Sequence, residues 1–363
     1  MNTPLVIRPR AEDVEGQPIL RPLPSAQCRS VGPFVFFDHM LQTRYPAGKG
    51  MNIRQHPHIG LSTLTYLFQG QIQHKDSLGS DQVVNQGDVS WMTAGSAIAH
   101  VERTPQALID SDFSMHGLQV WLASPKVHEQ GPGHYSHHPA ATLPVSDNLG
   151  VRIRMIAGSG FCLESPVPVL SPTLYAEIQL QTATTLLIPA EHEERALYVL
   201  EGDAQLDGEP VEPHALVILP AGTTPTLFAD SDCHAVLFGG APLDGPRRIN
   251  WNFVSSDPAR IDEARQRWAA GDWPTVPGES ERIELPKGKG SPSPCSAGVR
   301  WPGQVKYWPR LHRRQAAQPG TGRRERLRVA GSRPMVQAMH CLRPPRDDSP
   351  WVAVHPAQRC AAR

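Results

Sequence analysis

Short apolar and β-branched runs cut by glycine, proline and aspartate dominate the first part of the chain. Thr63-Leu64-Thr65-Tyr66-Leu67-Phe68 ends at Gly70, Gln86-Gly87-Asp88 turns into Val89-Ser90-Trp91-Met92, and Ala94-Gly95 breaks that run in turn. Residues that suit a pleated surface, bounded by turn formers, predict strands. Over residues 1–125 strand follows strand, which predicts an all-β sandwich or barrel rather than alternating β and α.

The pattern then repeats. Tyr66-Leu67-Phe68-Gln69-Gly70 returns as Tyr198-Val199-Leu200-Glu201-Gly202, and Ala94-Gly95 returns as Ala221-Gly222 after the run Ala215-Leu216-Val217-Ile218-Leu219. Two copies imply two similar β-barrels in one chain. The expected division is an N-terminal barrel over 1–126, a linker over 127–172 and a C-terminal barrel over 173–286. Within the last, Asp257 is placed as N-cap and Pro258 as first residue of a helix over 258–270. Ile261, Ala264 and Trp268 fall at helical spacing, and Gly271 closes the run. Beyond Pro286 no apolar period survives. Residues 287–363, rich in Arg, Pro, Gly, Ala and Ser, read as a basic disordered tail.

Charge supports that split. The net charge of zero conceals 16 basic against 3 acidic residues over 287–363, leaving the preceding part acidic by the same margin of 13. The two Arg clusters Arg313-Arg314 and Arg323–Arg328 invite comparison with a nucleic-acid arm. A disordered extension explains them more simply, so no nucleic-acid partner is expected. With 39% apolar and 19% charged residues the composition is that of a soluble globular protein. No apolar run approaches the roughly 20 residues of a membrane span. The N-terminus lacks a signal peptide's charged start and apolar core. Six scattered cysteines without a Cys-x-x-Cys pair read as reduced thiols, and the expected location is cytoplasmic.

Chemistry concentrates in two phrases, His56-Pro57-His58 and His100-Val101-Glu102. Alternate residues of a strand share a face, so each phrase aims two metal-competent side chains the same way. Three imidazoles and a carboxylate inside a barrel suit a divalent ion of the iron, manganese, nickel or copper kind, with coordination positions left for a substrate oxygen and dioxygen. Counting from the repeat, the second copy has Ile188, Ala190, Leu227 and Ala229 at these positions. One barrel is therefore expected to hold metal and the other not.

Other histidines carry weaker expectations. His74 is placed on a turn; His39 and His116 either reach the pocket as donors behind the ligands or have a packing or surface role. His134, His137 and His138 read as a solvated linker, and Glu191-His192-Glu193-Glu194-Arg195 as an exposed charged loop. Phe34, Phe36, Phe37, Trp91 and Met92 either line an apolar pocket over the metal or pack as core. No Ser/His/Asp order, phosphate-cradling loop or dinucleotide fingerprint appears, which argues against hydrolase, kinase and NAD chemistry.

At these residues the chain resembles the pirin family, a branch of the cupin superfamily. The resemblance rests on Val31-Gly32-Pro33-Phe34-Val35-Phe36-Phe37-Asp38, His56-Pro57-His58-Ile59-Gly60-Leu61, His74-Lys75-Asp76-Ser77-Leu78-Gly79, Trp91-Met92-Thr93-Ala94-Gly95, His100-Val101-Glu102-Arg103 and Trp251-Asn252-Phe253-Val254-Ser255-Ser256. It covers roughly residues 1–286. It implies two tandem cupin barrels (double-stranded β-helices) with a short C-terminal helix. It also implies one iron(II)-type metal on His56, His58, His100 and Glu102, and an empty second barrel. Two activities are implied: a flavonol (quercetin) 2,3-dioxygenase, or a non-catalytic metal-dependent regulator that binds a protein partner as a transcription cofactor. In the first, a small aromatic substrate meets O2, Glu102 takes the proton of the substrate hydroxyl, and the activated ring is opened; no organic cofactor is implied. Ser96-Ala97-Ile98-Ala99 departs from the family pattern by lacking a cationic pocket-side residue.

Overall fold

Turn glycines set the strand lengths where the pattern placed them. Gly70 and Gly95 adopt φ of 89° and 55°, and a Cβ on Gly95 would meet the Gly131 carbonyl oxygen at 2.1 Å. Between such turns the chain is built almost wholly of antiparallel strands. The computed structural model describes residues 4–286, so the expected tail over 287–363 lies outside the described residues.

The N-terminal barrel combines two sheets. Asn52–His58, Ile98–Arg103, Ile72–Asp76 and Asp81–Val84 pair in that order as one. The other runs His134–His138, Val89–Thr93, Leu61–Gln69, Phe113–Ala123, Phe34–Tyr45, Gln17–Leu23, Arg10–Val14. The C-terminal barrel repeats the plan. A small sheet of Thr185–Leu187, Thr226–Ala229, Ala204–Leu206 and Glu209–Val211 closes on a larger one that includes Glu194–Glu201, Cys233–Gly240 and Thr173–Leu180. The two tandem cupin barrels and the short helix are as expected.

Alternation assigns each strand face to a different core. Along Glu194–Glu201, Leu197 and Val199 point into their own barrel, while Ala196, Tyr198 and Leu200 join the cluster between barrels. That seam stacks Phe37 on Phe238 at 5.1 Å and sets Phe34 against Phe238 and Tyr175 at 5.0 and 5.5 Å. Phe34, Phe37, Tyr66, Tyr175, Tyr198 and Phe238 are all at most 1% exposed there. Each fully buried aromatic contributes roughly 1.5–3 kcal/mol.

Three features depart from the linear division. The strand Leu5–Ile7 pairs with Leu216–Leu219 and so belongs to the C-terminal barrel's larger sheet. Residues 127–172 are not a bare linker: His134–His138 extends the N-terminal barrel, and Val145–Asn148 and Val151–Gly160 extend the C-terminal one. Finally, the end of the described chain returns to the first barrel. Trp251, Phe253, Ile261, Trp268 and Trp273 pack on Ile59, Ala99 and Val101, with single bridges from Ile59 to Phe253 and from Gln55 to Arg282. The helix Pro258–Ala270 has the expected ends, with the Asp257 side chain accepting from the Ala259 amide and Gly271 left-handed at φ 77°. Cys28 and Cys233 are free thiols, as expected of reduced cysteines.

Candidate metal centre

His56 and His58 lie on Asn52–His58, an edge strand of the smaller sheet, where Pro57 can sit without breaking a ladder that needs its missing N–H. His100 stands directly opposite His56 in the register, and Ile98 opposite His58. A bulge between His100 and Glu102 then slips the pairing, so that Glu102 faces Ile53. All four side chains are buried. Ligand nitrogens of His56, His58 and His100 lie within 4.8 Å of one another, the one such cluster among the described residues. The Glu102 carboxylate is outside that cluster but lines the same cavity.

The outward nitrogens explain the aim of the inward ones. His56 Nδ1 is 2.9 Å from the Arg54 carbonyl oxygen, and His58 Nδ1 is 3.2 Å from that of Asn252. Carbonyls only accept, so both rings carry their proton on Nδ1 and turn a bare Nε2 inward. His100 Nδ1 lies 3.4 Å from His74 Nδ1, and His74 Nε2 lies 3.1 Å from Asp76 Oδ2. A His74 that donates to Asp76 accepts from His100, which fixes His100 in the same tautomer. His58 Nε2 and His100 Nε2 are then two lone pairs only 3.1 Å apart. No hydrogen joins them in this arrangement; a shared cation satisfies both. The donor set fits a divalent ion of borderline softness.

Burial is the largest influence on these groups. It lowers His56 to about 4 and pulls His58 and His100 well below the ordinary imidazole range, with the neighbouring imidazoles adding to it at His58 and His100. The rings are therefore neutral and ligand-ready at pH 7. Burial pushes the Glu102 carboxyl upward, opposed by the nearby His74 and by the Thr65 hydroxyl 3.2 Å from its Oε1. The same hydroxyl lies 2.6 Å from Gln119 Oε1, which joins Glu102, Thr65 and Gln119 into one polar edge.

A cavity of about 310 Å3 opens over the three imidazoles. Phe36 and Trp121, cross-strand partners, stack face to face at 3.9 Å and 12°, the Arg21 guanidinium lies over Phe36 at 4.5 Å, and Trp121 meets the His58 ring edge-on at 5.3 Å, so part of the wall is aromatic. Of the five apolar residues singled out from the sequence, only Phe36 lines this cavity; Phe34, Phe37 and Trp91 pack in the seam and Met92 in a small cluster with Ala94 and Ile98.

Several histidine expectations are corrected. His74 is not on a turn: it lies buried in the strand Ile72–Asp76, stacked on Tyr135 at 4.3 Å. His39 and His116 take the packing alternative: they do not line the cavity, they bond each other at 2.8 Å, and His39 reaches Tyr198 across the seam. His134, His137 and His138 are paired with Val89–Thr93, and His137 Nε2 is 2.9 Å from Asp88. Glu191 and Glu193 are exposed as expected, but Arg195 is buried and donates to the carbonyls of Pro189 and Pro220.

Trp121 and Gln119 are not among the sequence's candidates, and Asn252 is there only within the family phrase Trp251–Ser256, with no role at the site. Trp121 and Gln119 could have been found from the alternation of Phe113–Ala123. Nothing local to the ligand phrases pointed to Asn252, which is 194 positions from His58. In the second barrel Ile188, Leu227 and Ala229 are fully buried among aliphatic side chains, while Ala190 is exposed. The register places Leu186, not Ile188, opposite Leu227, a two-residue offset from the count along the repeat.

Comparison with known proteins agrees with this architecture. The pirin family model matches residues 16–122, and that of the pirin C-terminal cupin domain matches residues 175–274. A pirin-like protein of Caulobacter vibrioides is 42% identical over 270 residues, spanning 74% of this chain and 93% of the relative. Pirin of Rattus norvegicus is 28% identical over 265 residues, or 71% and 87%. The crystal structure of quercetin 2,3-dioxygenase from Acinetobacter baumannii matches with a TM-score of 0.72 at 31% identity, over 78% of this chain and 95% of that one.

Proposed function

This chain belongs to the pirin family, and from that premise we propose that it is a mononuclear metal-dependent dioxygenase of the quercetin 2,3-dioxygenase type, with His56, His58, His100 and Glu102 as ligands. The observation that carries the reading is the cavity. At about 310 Å3, lined in part by Phe36 and Trp121 and open above three convergent imidazoles, it has the size of a small-molecule pocket. A regulator that needed only a bound ion would have no use for that space. Similarity to the Acinetobacter baumannii quercetin 2,3-dioxygenase points the same way.

When bound, iron(II) would supply Lewis acidity toward a substrate oxygen and electrons for dioxygen chemistry. The remaining work falls to the chain. Phe36 and Trp121, both in the cavity lining, give an aromatic ligand an apolar wall beside His58. Glu102, whose proton affinity burial raises, takes the proton of the substrate hydroxyl, and the Thr65 hydroxyl holds the carboxyl in place. The C-terminal cover, reaching the cavity through Asn252 and Ile283, keeps bulk water from that side.

The test is anaerobic iron loading of the full chain followed by oxygen uptake with quercetin, alongside Glu102→Ala. Stoichiometric iron and uptake that the variant lacks would support the reading. Stoichiometric iron without uptake would shift it to the metal-dependent regulator.

A further inference from the structure

Most of the buried polar groups around the metal cavity already have partners. Asp38 takes the Arg21 guanidinium on both oxygens, and Gln17 accepts from the Tyr45 hydroxyl and donates to the Leu41 carbonyl. Two carboxamides in the lining are different. Asn252 is 3% exposed, and among the described residues neither end of its side chain has a hydrogen-bond partner. Its contact with His58 runs through the main-chain carbonyl alone. Neither polar end is sealed inside the protein, so the little surface that Asn252 keeps is carboxamide in the cavity wall. Gln119, half-buried in the same wall, sets Oε1 2.6 Å from the Thr65 hydroxyl, and its Nε2 has no partner among the described residues.

An amide taken out of water without a hydrogen bond costs stability, and an apolar residue of the same size would not. The position itself is apolar company. Trp251 and Asn252 form the two-residue turn between Arg248–Asn250 and Phe253–Ser255, and Trp251 and Phe253 on either side are buried in the aromatic cover. With its flanks packed and its carbonyl against His58, the Asn252 carboxamide is held in place before any ligand arrives, which lowers the cost of binding one. Its chemistry limits what it can meet. A carboxamide offers a donor and an acceptor and carries no charge, so it complements a hydroxyl or carbonyl oxygen rather than a carboxylate or an ammonium.

We propose that Asn252 and Gln119 are specificity-determining residues that read hydroxyl or carbonyl oxygens on an aromatic ligand, beyond the oxygen that meets the metal. The proposal rests on the metal centre and aromatic ligand of the preceding reading, but not on turnover. A site built to hydrogen-bond a hydroxyl rejects the analogue lacking it, because the site's own polar groups are then left unpaired.

The experiment titrates Co(II)-loaded full-length protein, without oxygen, with quercetin and with 3-hydroxyflavone. Both present the same hydroxyl and carbonyl pair to a metal, and only quercetin carries further hydroxyls. The wild type is expected to prefer quercetin by about tenfold or more. Asn252→Leu and Gln119→Met, close in volume to the originals, should each cut that ratio by roughly two- to tenfold, the range of one net hydrogen bond. Thermal melting of the ligand-free proteins separates this role from a structural one. Leucine in place of an unpaired amide should leave the melting temperature of the protein unchanged or raise it. Equal wild-type affinities, binding of neither flavonol, a ratio that both variants retain, or a melting temperature lowered by Asn252→Leu would overturn the assignment. Oxygen uptake is scored separately. Preference without uptake counts against the dioxygenase alone, and uptake without preference counts against the assignment alone.

Discussion

The two barrels use the same strands for opposite ends. In the first, the paired positions on the small sheet are His56 and His100, and the space between sheets is a cavity. In the second they are Leu186 and Leu227, and Leu197, Val199, Ile178 and Leu237 fill the interior. A close-packed aliphatic interior stabilises its barrel directly. A barrel that keeps polar ligands and a void forgoes that stabilisation and must be supported from outside. The support is visible: Trp251, Phe253, Ile261, Trp268 and Trp273 are laid against the ligand-bearing sheet, and the second barrel has no such cover among the described residues. The ligand-facing sheet thus leans on the later part of the chain, whereas the filled barrel takes from outside its own span the short strand Leu5–Ile7.

The most drastic way to break the comparison is to write the first barrel's chemistry into the second. Leu186→His with Leu227→His should destabilise the protein by about 4 kcal/mol or more, since two polar rings replace well-packed leucines without partners. Denaturant unfolding would read this, and metal analysis should find no second ion. Next in size, His58→Ala should weaken metal binding by at least about 100-fold while circular dichroism still reports a folded double barrel. Loss of the fold would make the ion structural instead. His74→Ala removes the partner that fixes the His100 tautomer and should weaken metal binding by about 10- to 100-fold, measured by competition with a chelator.

Lowering pH sharpens the contrast further. The site imidazoles have folded pKa values below the unfolded value of about 6.5, so the unfolded chain takes up protons that the folded site refuses. The stability of the metal-free protein is thus complete above about pH 6.5 and falls as pH drops toward the depressed values, about 4 for His56. Metal occupancy should likewise persist below pH 6.5, which titration with atomic absorption can follow. The smallest effect is local: Glu15, at φ 51° in the two-residue turn between Arg10–Val14 and Gln17–Leu23, is a disfavoured turn residue, and Glu15→Asn should raise stability by about 0.5 kcal/mol in thermal melts.

The sequence disclosed what depends on short-range periodicity. The i, i+2 spacing in His56-Pro57-His58 and His100-Val101-Glu102 was legible because strand alternation alone puts both members on one face. The helix was legible for the same local reason, through Asp257, Pro258 and Gly271. His74 was not, because Gln73-His74-Lys75-Asp76 reads as a polar turn unless the barrel is known to have a polar interior at that level. The crossing of Leu5–Ile7 into the other barrel and the return of Trp273 and Ile283 to the first are set by long-range packing, of which a local pattern carries no trace. The same holds for Glu102. Its place beside the imidazoles follows from alternation, but its exclusion from the tight nitrogen cluster follows from a bulge that no spacing rule announced.

The bond between His58 and the Asn252 carbonyl has a consequence in time rather than in space. A chain leaving the ribosome carries His56, His58 and His100 long before Asn252 is made. Until then His58 Nδ1 lacks that acceptor, and the sheet behind it lacks its aromatic cover. A copy that stops short of Asn252 therefore lacks the contact that orients one of the three imidazoles and is expected to hold an ion more weakly.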